Sequence, residues 1–136
     1  MHINLVYGMS ANLIQPVLNF FVKNTWVAWL WTLMIFIVCN MPARNVPAGP
    51  FPFFDKIVHL GLFGAWTLLW LLAYPHKAKL IIMLGFTYGI GIEVTQQLLS
   101  LGRTFDWWDA AVDAVGVILA FGFKSIVLDR YLQRLY

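Results

Sequence analysis

Five of the six acidic residues in this chain fall into three short stretches, and they keep company with a histidine, a lysine and an arginine. Asp55, Lys56 and His59 form the first group, with Asp55 and His59 at i,i+4. Glu93, Gln96 and Gln97 form the second, at i, i+3 and i+4. Arg103, Asp106, Asp109 and Asp113 form the third, and Asp106, Asp109, Asp113 and Gly116 follow i, i+3, i+7, i+10. On helices each set lies along one face. Lys56, Arg103 and a protonated His59 could hold a phosphate or a carboxylate through charge-assisted hydrogen bonds. Glu93, Asp109 and Asp113 could pair with those cations or accept from sugar or peptide groups. Glu93 and His59 are the candidates for carrying a proton in a catalytic step. A divalent cation between His59 and the carboxylates is chemically allowed, but no spacing here is a dedicated metal signature, so no cofactor and no metal ligand is expected. Each residue also has a plain packing reading: Asp55 as a helix cap, His59 as a satisfied core histidine, the acids as partners of Lys56 and Arg103. The convergence of the set carries more weight than any single member.

The elements that position these groups must sit in hydrocarbon. Of 136 residues, 61% are hydrophobic, 17% aromatic and only 11% charged, against roughly 25% charged and 45–50% apolar in soluble domains. A globule of this size has too little charged surface to hide seven Trp, eleven Phe and five Tyr. The net charge of +3 comes from basic residues scattered between apolar runs, which reads as membrane anchoring and excludes a nucleic-acid stripe. The lone Cys39 excludes an internal disulfide and a multi-cysteine metal site. It reads as an apolar filler on the first span, away from the polar set. The first Lys or Arg is Lys23, so no cleavable signal peptide is expected.

The pattern predicts an all-α fold, a four-helix membrane bundle in one domain over residues 1–136. Its spans run about 26–41, 54–74, 80–101 and 107–123. Residues 10–23 place Asn12, Gln15, Asn19 and Lys23 on one side and apolar residues on the other. This suits an additional interfacial amphipathic helix, or else the leading part of the first span. Pro42, Pro47, Pro50 and Pro52 break any helix between the first two spans. The tail from Lys124 is expected to continue as an amphipathic helix. Gly64, Gly85, Gly89 and Gly116, together with Gly61, Ala65 and Ala114, are small enough for close helix packing. Trp107 and Trp108 read as interfacial belt residues.

Four spans put both termini and the 75–79 turn on one side, with Lys23, Lys77, Lys79, Lys124, Arg130 and Arg134; the other side has only Arg44, Lys56 and Arg103. The positive-inside rule then places both termini in the cytoplasm of a multi-pass protein in the cell membrane. At a rise of about 1.5 Å per residue, Glu93 lies roughly 12 Å below Leu101, Asp113 about 9 Å below Trp107 and His59 about 7 Å below Phe54. Three helices thus bring ionisable groups to similar depth on the outer side. Acids at membrane depth are a functional hypothesis by default, set against a purely structural pairing.

The stretches FDKIVHLGLFGAW (54–66) and IEVTQQLLSLGRTFDWWDAAVDAVG (92–116) resemble the VanZ-like membrane proteins. Asp55, Lys56, His59, Glu93, Arg103, Asp106, Asp109 and Gly116 fall on that family's pattern. Asp113 stands where the family usually has Asn. The Glu-to-Arg interval is one residue longer, so Gln96 and Gln97 both match the family's Gln. The resemblance implies a cell-envelope protein associated with resistance to lipoglycopeptide antibiotics of the teicoplanin type. Three functions follow as expectations. The first is non-catalytic binding of an anionic lipid-linked ligand, a cell-wall precursor or a glycopeptide in an outward-facing polar pocket. The second is an intramembrane enzyme acting on such a headgroup. The third is a structural partner of another envelope protein. Membrane lipids are expected partners, nucleic acid is not, and a homo-oligomer is compatible with the short first span.

Overall fold

The computed structural model describes residues 15–46, 49–99 and 102–130. Within them the chain is helical and no strand is present. Helix α1 spans Gln15–Lys23, α2 Trp26–Cys39, α3 Phe54–Ala73, α4 Ala78–Leu98 and α5 Trp107–Phe123. Short 3₁₀ turns occupy Ala43–Asn45 and Pro75–Lys77, and a π-helical turn over Lys124–Leu128 prolongs α5. These bounds differ from the expected spans by a few residues, as helix ends fray. Residues 10–14 of the expected amphipathic segment, the 100–101 end of the third span and the tail beyond residue 130 lie outside the described residues.

Three helices are long and apolar enough to cross a membrane: Phe54–Ala73, Pro75–Leu98 and Trp107–Leu128. At 14 residues, α2 rises about 21 Å, short of the roughly 30 Å hydrocarbon core. It makes a fourth span only together with α1, from which it is bent by 74°. Residues 15–23 are therefore not a straight lead-in to α2. The break falls at Asn24 and Thr25, where the Asn24 amide donates to the Phe20 carbonyl at 2.8 Å.

The interior is thin. Ile35, Phe63, Leu71, Ile92 and Val117 are fully enclosed, with Cys39, Trp66 and Ile81 nearly so. Trp29, Leu33, Ile37, Met83, Ile118 and Leu119 stand out from the bundle, an apolar exterior whose solvation calls for lipid chains. Midway along the bundle, polar side chains of α2, α3 and α4 pair across the interior. Thr32 accepts the Trp66 indole on its hydroxyl at 2.8 Å and the Tyr88 hydroxyl on its carbonyl at 2.6 Å. Trp31 donates to the Leu62 carbonyl at 3.0 Å.

Helix α3 packs most extensively against α5, and α5 against α4. Gly116 allows the first contact: a Cβ there would lie 2.6 Å from the Leu60 carbonyl oxygen and 3.2 Å from the Gly64 nitrogen. Gly85 and Gly89 let α4 approach Val117 and Asp113. Gly61 faces open space and does not take part in this packing.

Candidate functional site

The starts of α3 and α5 and the ends of α2 and α4 meet at one end of the bundle, and the polar residues gather there. Asp106 ties three helices together. Its side chain caps α5 by accepting from the Trp108 N–H at 2.7 Å, as expected of Asp before a helix. Its other carboxylate oxygen accepts from Lys56 Nζ at 2.8 Å. Its own backbone N–H donates to Glu93 Oε2 at 2.9 Å. The Lys56 ammonium beside it holds the Asp106 carboxyl below the usual carboxylate range. Lys56 also reaches Asp109 at 2.5 Å and Asp55 at 3.3 Å, so three aspartates share one ammonium.

Deeper in the bundle, His59 Nδ1 lies 3.0 Å from Asp113 Oδ1, and Nε2 lies 4.0 Å from Asp109 Oδ2. Glu93 and Asp113 are at most 1% exposed, and His59 and Asp109 are 4% exposed. Two oxygens in this layer, Glu93 Oε1 and Asp113 Oδ2, have no hydrogen-bond partner among the described residues. One ligand atom from each of His59, Glu93 and Asp113 lies within 4.8 Å of the others. The depth arithmetic on three separate helices thus ends in one three-residue cluster.

The two glutamines separate. Gln96 is buried and donates to the Cys39 carbonyl at 2.8 Å, whereas Gln97 is exposed. Gln96 therefore spends its amide on helix packing. Thr95 adds a second tie by donating to Asn40 Oδ1 at 2.9 Å. Sequence reading missed Thr95 and Asn40. Its only available signal was an Asn at the end of an apolar run. Cys39 requires a correction: it lies at the polar end, with its carbonyl bound by Gln96, and it is among the residues lining a cavity shared with His59 and Arg103. Thirteen residues beyond Trp26 place it about 20 Å along α2, at the end of the helix where the polar set lies.

That cavity, of about 370 Å³, opens beside the cluster. Apolar residues, among them Phe51, Phe53, Phe54, Val58 and Leu62, make most of its wall, and Asp55, His59 and Arg103 are the acidic and basic residues in its lining. Phe53, 74% exposed, holds a left-handed backbone at φ 65° just before α3, a conformation that costs a bulky residue strain. Arg103 follows Gly102, whose φ of 77° turns the chain. Among the described residues Arg103 has no carboxylate within ion-pair distance, in contrast to Lys56. The site thus combines a neutralised ammonium, an unclaimed guanidinium at an apolar cavity and a buried histidine–carboxylate cluster.

Neither a comparison with curated proteins nor one with solved structures finds a match. A family model does: it is described as VanZ/LLP1 and matches residues 3–128, which include every helix that builds the polar end. Taken with the arrangement of Asp55, Lys56, His59, Glu93, Arg103, Asp106 and Asp109 at the meeting of α3, α4 and α5, that match shows that the chain belongs to the VanZ/LLP1 family.

Proposed function

We propose that this chain is a multi-pass protein of the cell membrane, with both termini cytoplasmic, whose outward-facing cavity binds an anionic amphiphile. One observation carries the reading: Arg103, without a carboxylate partner among the described residues, lines a cavity walled mainly by apolar side chains. A phosphate or carboxylate headgroup fits the planar fork of a guanidinium, and an acyl or isoprenoid chain fits the Phe51, Phe54, Val58 and Leu62 wall. Lys56, already shared among Asp55, Asp106 and Asp109, holds the scaffold of the site. The Lys and Arg bias between loops supports the orientation. A lipid-linked cell-wall precursor is the ligand class that joins this chemistry to the teicoplanin-type resistance implied by the family resemblance.

Native mass spectra of the gently solubilised protein test the reading. Wild type should retain a phosphate-bearing lipid mass, Arg103→Ala should lose it, and Lys124→Ala, in the π-helical turn beyond α5, should keep it. The same bound lipids in all three, or none in any, would refute a headgroup site at Arg103. A second reading, an intramembrane enzyme with His59 or Glu93 as proton carrier, is favoured by His59 lining both the cavity and the buried cluster. Turnover of a bound headgroup, abolished by Glu93→Gln while the lipid is still retained, would select it.

A further inference from the structure

We propose that His59, Glu93 and Asp113 form a site for a divalent transition-metal ion of the zinc or manganese class. The proposal stands without amphiphile binding, because none of its argument uses Arg103 or the cavity's apolar wall.

Three observations carry it. The donor set is one imidazole nitrogen and two carboxylates, from α3, α4 and α5, with one atom of each inside a 4.8 Å span. Bonds of about 2.0–2.2 Å around one ion place its ligands up to about 4 Å apart, so small side-chain rotations complete the site. Next, Glu93 Oε1 and Asp113 Oδ2 are buried without a hydrogen-bond partner among the described residues. Buried polar atoms are nearly always satisfied, and an orphaned pair in one cluster calls for an ion, water or proton. Last, the neighbouring ammonium cannot supply the charge. Lys56 is committed to Asp55, Asp106 and Asp109, which leaves two enclosed carboxylates against one histidine. A dication answers that excess where hydrocarbon makes uncompensated charge costly.

The chemistry of the donors selects the ion. Imidazole among carboxylates favours zinc, with manganese the harder ion that also accepts a nitrogen donor; calcium asks for six to eight oxygens, and magnesium binds through oxygens and retained water. Gly89 matters here, since a Cβ at that position would stand 3.1 Å from both Asp113 Cβ and Oδ2 and push the carboxylate out of place. Three protein ligands leave a zinc ion an open position, and His59 also lines the cavity.

The test strips full-length purified protein with chelator, then adds Zn²⁺, Mn²⁺ or Co²⁺ alone, with uptake measured by native mass spectrometry and elemental analysis. Wild type should bind one ion per chain, melt at higher temperature as Zn²⁺ rises, and give Co²⁺ a visible absorption band. Glu93→Gln and Asp113→Asn should weaken binding by more than about 10-fold, beyond what loss of an outer-shell partner alone brings at the low end. Lys124→Ala, in the π-helical turn after α5 and away from the cluster, should bind as wild type does. Circular dichroism of the metal-free variants separates lost ligation from lost folding. If the ligand variants prove unfolded, the wild-type uptake and Co²⁺ band decide alone. A wild type that takes up none of the three ions overturns the proposal, with a shared proton then accounting for the cluster. Equal binding by folded Glu93→Gln and Asp113→Asn overturns it too.

Discussion

Asp106 and Arg103 are three positions apart, yet their charges are used in opposite ways. The Asp106 carboxylate accepts from both Lys56 and the Trp108 N–H. Its folded form therefore gives up its proton more readily than an unfolded chain would. The resulting stabilisation is complete above the ordinary Asp value of about 4 and fades as pH falls through the lowered folded value. Removing the side chain with Asp106→Ala should cost about 1 kcal/mol near neutral pH, the usual worth of a cap. The melting-temperature gap between wild type and variant should narrow as pH falls through that lowered folded value. A gap independent of pH would show that the Lys56 contact contributes nothing, a real test because the side chain is 41% exposed and exposed pairs are often weak. Arg103, by contrast, lines the cavity without a carboxylate partner among the described residues. Arg103→Lys keeps the charge but loses the fork, so a bound headgroup should be held more weakly by Lys, though less weakly than by Ala; titration with a soluble short-chain phospholipid would rank the three.

At the scale of elements, the account depends on how closely α3 and α5 approach. Gly116→Ala drives a methyl into the Leu60 carbonyl, 2.6 Å from where the Cβ must go. Rigid backbone cannot yield as a flexible side chain can, so the helices must part, at about 1–3 kcal/mol for an overpacked site. Gly61→Ala meets nothing within 4 Å and should gain up to about 1 kcal/mol of helix propensity. Thermal melts of both variants check the pair, and similar losses in both would contradict the packing described here. The apolar runs and the periodicity of Asp106, Asp109 and Asp113 made the helices and the polar end readable from sequence. Residue rise alone placed His59, Glu93 and Asp113 at similar depth. Depth carries no information on how each helix is rotated about its axis, and that rotation decides partners. Hence Lys56 meets Asp109 while Glu93 accepts the Asp106 backbone N–H, Gln96 turns inward where Gln97 turns out, and the aromatic cavity wall was invisible in a loop read as a helix breaker. The misplacing of Cys39 was different in kind, since the rise along α2 already contained the answer.

Among the described residues of the whole molecule, the buried ionisable groups lie at one end, and the exterior along the helices is apolar. Trp107 and Trp108, 75% and 73% exposed, stand at that end where an aromatic belt is expected. Such a molecule offers a headgroup-level site with hydrocarbon immediately beside it, which is the shape of an amphiphile. On the reading proposed above, Arg103, which lines that cavity without a carboxylate partner among the described residues, supplies the recognition. The most direct test is isothermal titration of the detergent-solubilised protein with two short-chain lipids of identical tails, one carrying a bare phosphate headgroup and one zwitterionic. The account predicts that wild type prefers the phosphate lipid and that Arg103→Ala loses about 1.5–3 kcal/mol of that affinity, the worth of hydrogen bonds to a charged group. Its affinity for the zwitterionic lipid should change little. Equal affinity of wild type for the two lipids, or an Arg103→Ala variant that still prefers the phosphate, would contradict it.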